Sequence, residues 1–193
     1  MIELLNPVFL NFQSSEYLSP LTPDSFSQMS FSAARDATEA DLPAIVDIYN
    51  RTIPGRRVTA DTEPVTVESR LPWFRAHSPE KRPLWVVEET GQIVAWLSLN
   101  SFYGRPAYDA TVEVSLYVAE THRRRGLGKW FLAETIARAP SLRINNLLGF
   151  IWAHNQPSLN LFSAHGFERW GFLPRVAVLD NIERDVVIVG RRV

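Results

Sequence analysis

Apolar positions along the chain recur with two different periods, and each change of period marks an element. Phe31 to Arg35 alternates apolar and polar residues and predicts a strand. Thr38 followed by Asp41 makes a capping-box-like start to a helix that runs to about Tyr49, with Pro43 in its tolerant first turn. Thr66 to Arg75 predicts a second, shorter helix. Leu84 to Glu88 and Ile93 to Leu99 read as strands of a hairpin around Thr90-Gly91-Gln92. In Thr111 to Val118, the residues Val112, Val114, Leu116 and Val118 share one face, and Glu113, Ser115 and Tyr117 share the other. Gly126 to Ala139 reads as a helix stopped by Pro140, and Leu147 to Trp152 as a buried strand. Pro157 suits a first helical turn and Gly166 closes that helix. Glu168 to Leu173 and Arg184 to Gly190 supply two last strands. The order β-α-α-β-β-β-α-β-α-β-β predicts one mixed-sheet α/β domain rather than a doubly wound fold with strict alternation.

Residues 1–28 break this pattern. They are rich in Ser, Pro and Asn, and their one short apolar patch, Val8 to Phe12, is too small to offset the entropy of ordering. They read as a poorly ordered extension, with the domain over 29–193. A second methionine, Met29, stands where regular pattern begins, so an alternative start there is equally consistent. Composition then narrows the function classes. With 46% hydrophobic and 21% charged residues in 193, the chain has ordinary globular usage and enough length for one real core. A net charge of −1 gives no basic field for nucleic acid or an anionic membrane, and no apolar run approaches a bilayer span of roughly 20 residues. There is no cysteine. That excludes a thiol nucleophile and a thiolate-held zinc, and fits a cytoplasmic location. His77, His122, His154 and His165 have no metal-ligand spacing, so no metal is expected.

The chemistry concentrates in Arg123-Arg124-Arg125-Gly126-Leu127-Gly128, between the Thr111–Val118 strand and a helix. Glycines allow a tight turn with inward-pointing N–H groups, and the helix N-terminus adds a positive dipole, so the loop suits a pyrophosphate. A Walker A loop would need Ser or Thr after its Lys, but Lys129 is followed by Trp130. The spacing also falls short of a Gly-x-Gly-x-x-Gly dinucleotide turn. Taken alone, the same segment could be a solvated basic turn.

In context it is more specific. Val112 to Val118 followed by Arg123-x-x-Gly126-x-Gly128 resembles the coenzyme A-binding core of GNAT acetyltransferases. Arg35 to Asp41, Ile48-Tyr49-Asn50, Thr62-Glu63-Pro64, Arg105 to Asp109 with Thr111 and Glu113, and Gly166-Phe167 are similar to the phosphinothricin and methionine sulfone/sulfoximine acetyltransferase branch. The resemblance implies a splayed, mostly antiparallel sheet flanked by helices, acetyl-CoA as cosubstrate, a small amine or amino acid as acceptor, and a homodimer. It places Leu116, Tyr117 and Val118 along the pantetheine arm and Arg123, Arg124, Arg125, Gly126, Leu127, Gly128 and Lys129 around the pyrophosphate. Asn155 and Ser158, at the next helix start, take further coenzyme contacts.

Acetylating an amine requires removing a proton from an ammonium group, which a carboxylate in a partly dry cleft can do. The resemblance gives this role to Glu113. It assigns the acceptor to Glu63, Arg105, Tyr108 and Thr111, with the guanidinium suited to an oxyanion. The bare pattern also allows Glu113 as a solvent-facing strand carboxylate, Glu63 as a loop acid, and Arg105 and Tyr108 as loop solvation and packing. Two departures stand out. Phe162 occupies the place of a His or Tyr and cannot protonate the departing thiolate, and Ala60-Asp61 replaces an aromatic-basic pair before Thr62. The remaining alternatives are a GNAT enzyme for another amine (an aminoglycoside, a polyamine or a protein N-terminus) and a non-catalytic acyl-coenzyme A-binding module. Glu113 favours an enzyme.

Overall fold

A computed structural model describes residues 33–193; the extension expected over 1–28 lies outside the described residues. The elements are β1 (Arg35–Asp36), α1 (Leu42–Asn50), α2 (Val67–Arg75), β2 (Leu84–Glu89), β3 (Gln92–Ser101), β4 (Thr111–Val118), α3 (Leu127–Arg138), β5 (Asn146–Trp152), α4 (Gln156–Ser163), β6 (Glu168–Leu179) and β7 (Ile182–Arg192). This is the order the periodicity predicts.

Local chemistry explains the starts and turns. The Thr38 N–H donates to the Asp41 carboxylate at 2.8 Å, closing the capping box ahead of α1. Arg35 holds the same carboxylate with two bonds, 2.7 and 2.9 Å, which keeps the Asp41 pKa down at about 2. Leu42, Ile45, Val46 and Ile48 then form the buried stripe of α1. Thr90 and Gly91, both with positive φ, make the two-residue turn between β2 and β3.

Two expectations need correction. Only Arg35 of the first predicted strand lies in β1, and residues 31 and 32 lie outside the described residues. The last two strands are longer than the sequence pattern suggests, and Asp180-Asn181 joins them by a second positive-φ turn. Pro174 sits inside β6 where the register shifts between Leu173 and Ala177. A bulge leaves a residue unpaired, so the missing proline N–H costs no ladder bond there.

The sheet runs β1-β2-β3-β4-β5-β7-β6. Every neighbouring pair is antiparallel except β4 with β5. Each face carries its own core. Val112 and Val114 bury with Phe131 and Leu132 of α3 and Phe162 of α4. Trp96 buries with α1 on the opposite face, and Tyr117 packs against that cluster. Two-residue alternation along β4 therefore feeds both layers at once.

The single parallel pairing is also the shortest of the central ones. β4 and β5 match only at Thr111 with Asn146, Val112 with Leu147 and Glu113 with Leu148. Beyond Glu113, β4 stays with β3 to Val118, and β5 stays with β7 to Trp152. The strands keep their antiparallel partners and part from each other, leaving the gap expected from the resemblance.

Candidate active site

The gap is a cavity of about 360 Å³, bounded by Glu113 to Tyr117 of β4, Gly149 to Trp152 of β5, and Asn155, Ser158 and Phe162 at α4. Thr59, from the segment after α1, lies on the same wall. The backbone parity of β4 follows from one bond past its end, where the Ala119 N–H donates to the Val94 carbonyl at 2.8 Å. In an antiparallel ladder the same strand edge recurs every second residue, so Ser115 and Tyr117 bond β3. Val114, Leu116 and Val118 turn their backbone groups toward β5 and, past the last rung, into the gap. Of the three residues expected along the pantetheine arm, Leu116 and Val118 thus offer free edges. Tyr117 offers its ring to the opposite face, stacked on Trp96 with centroids 4.3 Å apart.

The arginine-glycine turn divides its labour. Arg125 is bonded to Glu89 on the β2–β3 hairpin at 2.9 and 2.7 Å, and His122 Nε2 meets the same carboxylate at 2.8 Å. It braces the loop. Arg123 makes only a 3.8 Å contact with Glu120, while Arg124 and Lys129 are exposed and in no ion pair among the described residues. Leu127 is buried in the core. Gly126 has φ 84° at the cap of α3, a conformation that a side chain disfavours. Gly128 has no positive φ, contrary to what the turn suggests. Its need is space, since a Cβ there would lie 3.3 Å from Leu161 and 3.7 Å from Leu116. The first turn of α3 therefore lies close against β4 and α4, which fits a cosubstrate threaded between gap and helix N-terminus.

Asn155 is buried, and its Oδ1 accepts the Ser158 N–H at 3.3 Å, capping α4 at the cavity wall. Phe162 packs on Gly149, where a Cβ would meet its ring at 3.0 Å, and edge-on to Phe167 at 4.8 Å. It is wall and core, with no proton to give. Glu113 is half-buried at the fork, and its carboxylate makes no hydrogen bond or ion pair among the described residues. Burial pushes its pKa up from the ordinary carboxylate range.

The residues expected at the acceptor are Glu63, Arg105, Tyr108 and Thr111. Glu63 and Arg105 are exposed. Tyr108 clusters with Phe102 and Tyr103, at 5.6 and 5.8 Å. The Thr111 hydroxyl accepts from Asn146 Nδ2 at 3.0 Å and ties β4 to β5. None of the four lines the cavity. A second cavity of about 280 Å³ opens on the α1–α2 face and shares Ser115 and Tyr117 with the first. Tyr49, Arg70, Trp73, Trp96 and Asn100 line it, and sequence reading singled out none of them for the site. The one local signal is the i, i+3 spacing of Arg70 and Trp73 on α2.

A strand that leaves its neighbour after three rungs, beside a glycine turn opening a helix, is the framework of an acyl-coenzyme A-dependent acetyltransferase. Residues 42–167 match the acetyltransferase (GNAT) family, and the chain belongs to it, an N-acetyltransferase drawing on acetyl-CoA. It is 51% identical over 158 residues to YwnH of Bacillus subtilis (strain 168), provisionally assigned as a phosphinothricin acetyltransferase, covering 81% of this chain and 96% of that one. It is 32% identical over 143 residues to the L-methionine sulfoximine/L-methionine sulfone acetyltransferase of Pseudomonas paraeruginosa, covering 74% and 83%. The crystal structure of a phosphinothricin acetyltransferase from Sinorhizobium meliloti in complex with acetyl-CoA superposes with a TM-score of 0.79 at 26% identity, covering 86% and 89%.

Proposed function

We propose that this enzyme acetylates the α-amino group of a small amino acid or analogue, of the phosphinothricin or methionine sulfoximine/sulfone type, by direct attack with Glu113 as general base. The observation that carries this is Glu113 itself: a half-buried carboxylate without a partner among the described residues, at the mouth of the gap. Burial raises its proton affinity toward that of a useful base, and the absence of a salt bridge leaves its oxygens open to an ammonium. Leu116, Val118 and the first turn of α3 hold acetyl-CoA, with Arg123, Arg124 and Lys129 near its phosphates. Glu113 takes the ammonium proton, directly or through one water, and the neutral nitrogen attacks the thioester carbonyl. Phe162 has no proton to give, so the departing thiolate takes its proton from solvent. The names of the relatives support the amino-acid class.

A homodimer in the cytoplasm belongs to the same reading. Trp170, Phe172, Val176, Val178 and Ile182 on the β6–β7 hairpin are all exposed, apolar side chains of the kind that subunits cover. Light scattering after size exclusion tests the dimer. For the activity, coenzyme A release is measured over a panel of amino acids, sulfone and phosphinate analogues, polyamines and aminoglycosides. The reading holds if amino acids or analogues give the highest kcat/KM and falls if the polycations do.

A further inference from the structure

The second cavity carries a more specific inference, which rests on the amino-acid reading above. We infer that it receives the body of the acceptor and that Arg70 binds an anionic group of that acceptor, so the substrate is a primary amine bearing both an oxyanion and an apolar portion.

Continuity comes first. Ser115 and Tyr117 belong to both cavities, and Asn100 on the second wall pairs directly with Glu113 across β3 and β4. An amine presented to Glu113 therefore has its remainder beside Tyr117, Trp96 and Trp73.

Charge comes next. Among the described residues, Arg70 is the one charged side chain on the lining of this cavity. Its Nη2 donates to Asp61 at 3.0 Å, and its guanidinium carbon stands 4.7 Å above the Tyr49 ring and 5.8 Å from that of Trp73. Asp61 also accepts from the Tyr49 hydroxyl, which is itself hydrogen-bonded to Thr59, so the whole group is fixed in place. One of five guanidinium N–H donors is engaged in this bond. Asp61 orients the arginine without lining the cavity itself. On the same wall Trp96, 3% exposed, has an indole N–H with no acceptor among the described residues. An oxyanion in this cavity satisfies the guanidinium donors that Asp61 leaves free.

The opposite reading of the aromatic wall fails on the same geometry. Tyr49, Trp73, Trp96 and Tyr117 resemble an aromatic cage for an ammonium ion. The cation position over Tyr49 and Trp73 is already filled by Arg70, and a second positive charge there would meet repulsion instead of a free ring face. Apolar walls with one guanidinium suit an amino acid whose carboxylate or side-chain oxyanion reaches Arg70.

The test uses the full chain with Arg70→Gln and Arg70→Lys. Three acceptors are compared: an amino acid with an uncharged side chain, its α-carboxamide, and an α-carboxamide with an anionic side chain. Losing a charged hydrogen bond raises KM in Arg70→Gln roughly tenfold to a hundredfold for whichever acceptor carries the bound anion, and less than about threefold for the one lacking it. Arg70→Lys recovers part of that difference. The acceptor affected says whether the anion is the α-carboxylate or the side-chain group. In parallel, quenching of tryptophan fluorescence by the N-acetylated product, which has no amine to deprotonate, reports binding without turnover and weakens in the same variant. If the wild type acetylates amino acids but Arg70→Gln changes acid and amide alike, or neither, this inference is overturned and the amino-acid function stands. If the wild type acetylates no amino acid, both fall.

Discussion

Glu113 of β4 lies opposite Leu148 of β5 at the last rung before the two strands separate. Glu113 is therefore held in the β3–β4 ladder at the end of the β4–β5 pairing, while the next residues of its own strand are free on the gap side. Position and access are obtained from one break in pairing.

Glu113→Gln keeps the shape and removes the proton acceptor. We expect kcat to fall roughly 10²–10⁴-fold, with acetyl-CoA affinity by calorimetry nearly unchanged. Wild-type kcat/KM should fall as pH drops through the raised Glu113 pKa, and the variant should lack that limb. Loss confined to KM would make Glu113 a substrate clamp instead.

The same carboxylate bears on stability. Its pKa is raised in the folded state, so folding is unencumbered while the group is protonated, and stability is lost as pH rises through the folded pKa. Glu113→Gln should therefore melt at a higher temperature than wild type at pH 7, with the gap closing near pH 4. Equal melting temperatures at pH 7 would show that water reaches the wild-type carboxylate freely.

Gly128→Val tests the close approach of α3 to Leu116 and Leu161. The added isopropyl group overpacks the contact at a cost of about 1–3 kcal/mol and pushes the helix start away from β4. The dissociation constant for acetyl-CoA should rise about tenfold or more, whereas Gly128→Ala, whose Cβ meets only side-chain ends, should bind within a few-fold of wild type. Unchanged affinity in the valine variant would remove this turn from the site.

Glu89 anchors the turn through Arg125 and His122. Glu89→Ala leaves Arg123, Arg124 and Lys129 in place but loosens the loop that bears them. We expect KM for acetyl-CoA to rise about threefold to tenfold with acceptor KM unaltered, the pattern of lost preorganisation. A parallel rise in both constants would argue for a wider structural effect.

Asp41 gives the fold an acid limit. Its pKa is depressed to about 2 by Arg35, so its contribution is complete above about pH 4 and lost as pH falls through the folded value. Asp41→Asn keeps an amide oxygen as a capping acceptor but removes the charge and the ion pair with Arg35, and should cost about 1–3 kcal/mol at pH 7 by denaturant unfolding. The difference from wild type should shrink toward pH 2; a constant difference would mean the charge is not what matters.

The sequence by itself determined the order of the elements, the two faces of β4, the capping box at Thr38 and the glycine turn before α3. Each is a local property: a period of two or 3.6 residues, or a side chain bonding backbone three positions away. It also put Glu113 on the polar face of the strand that bears the site. Tertiary structure alone decided the rest. Arg123, Arg124 and Arg125 are alike in sequence, yet only Arg125 has Glu89 within reach, because β2–β3 folds over the loop. Gly126 and Gly128 look equivalent, but one needs a positive φ and the other needs room beside Leu116. Arg105 and Tyr108 stand near Glu113 in the chain and away from the cavity, while Tyr49, Arg70 and Trp96 are distant in the chain and line the adjoining one. Which side chains converge depends on how helices α1 and α2 pack across a sheet whose strands diverge, and no local period encodes that packing.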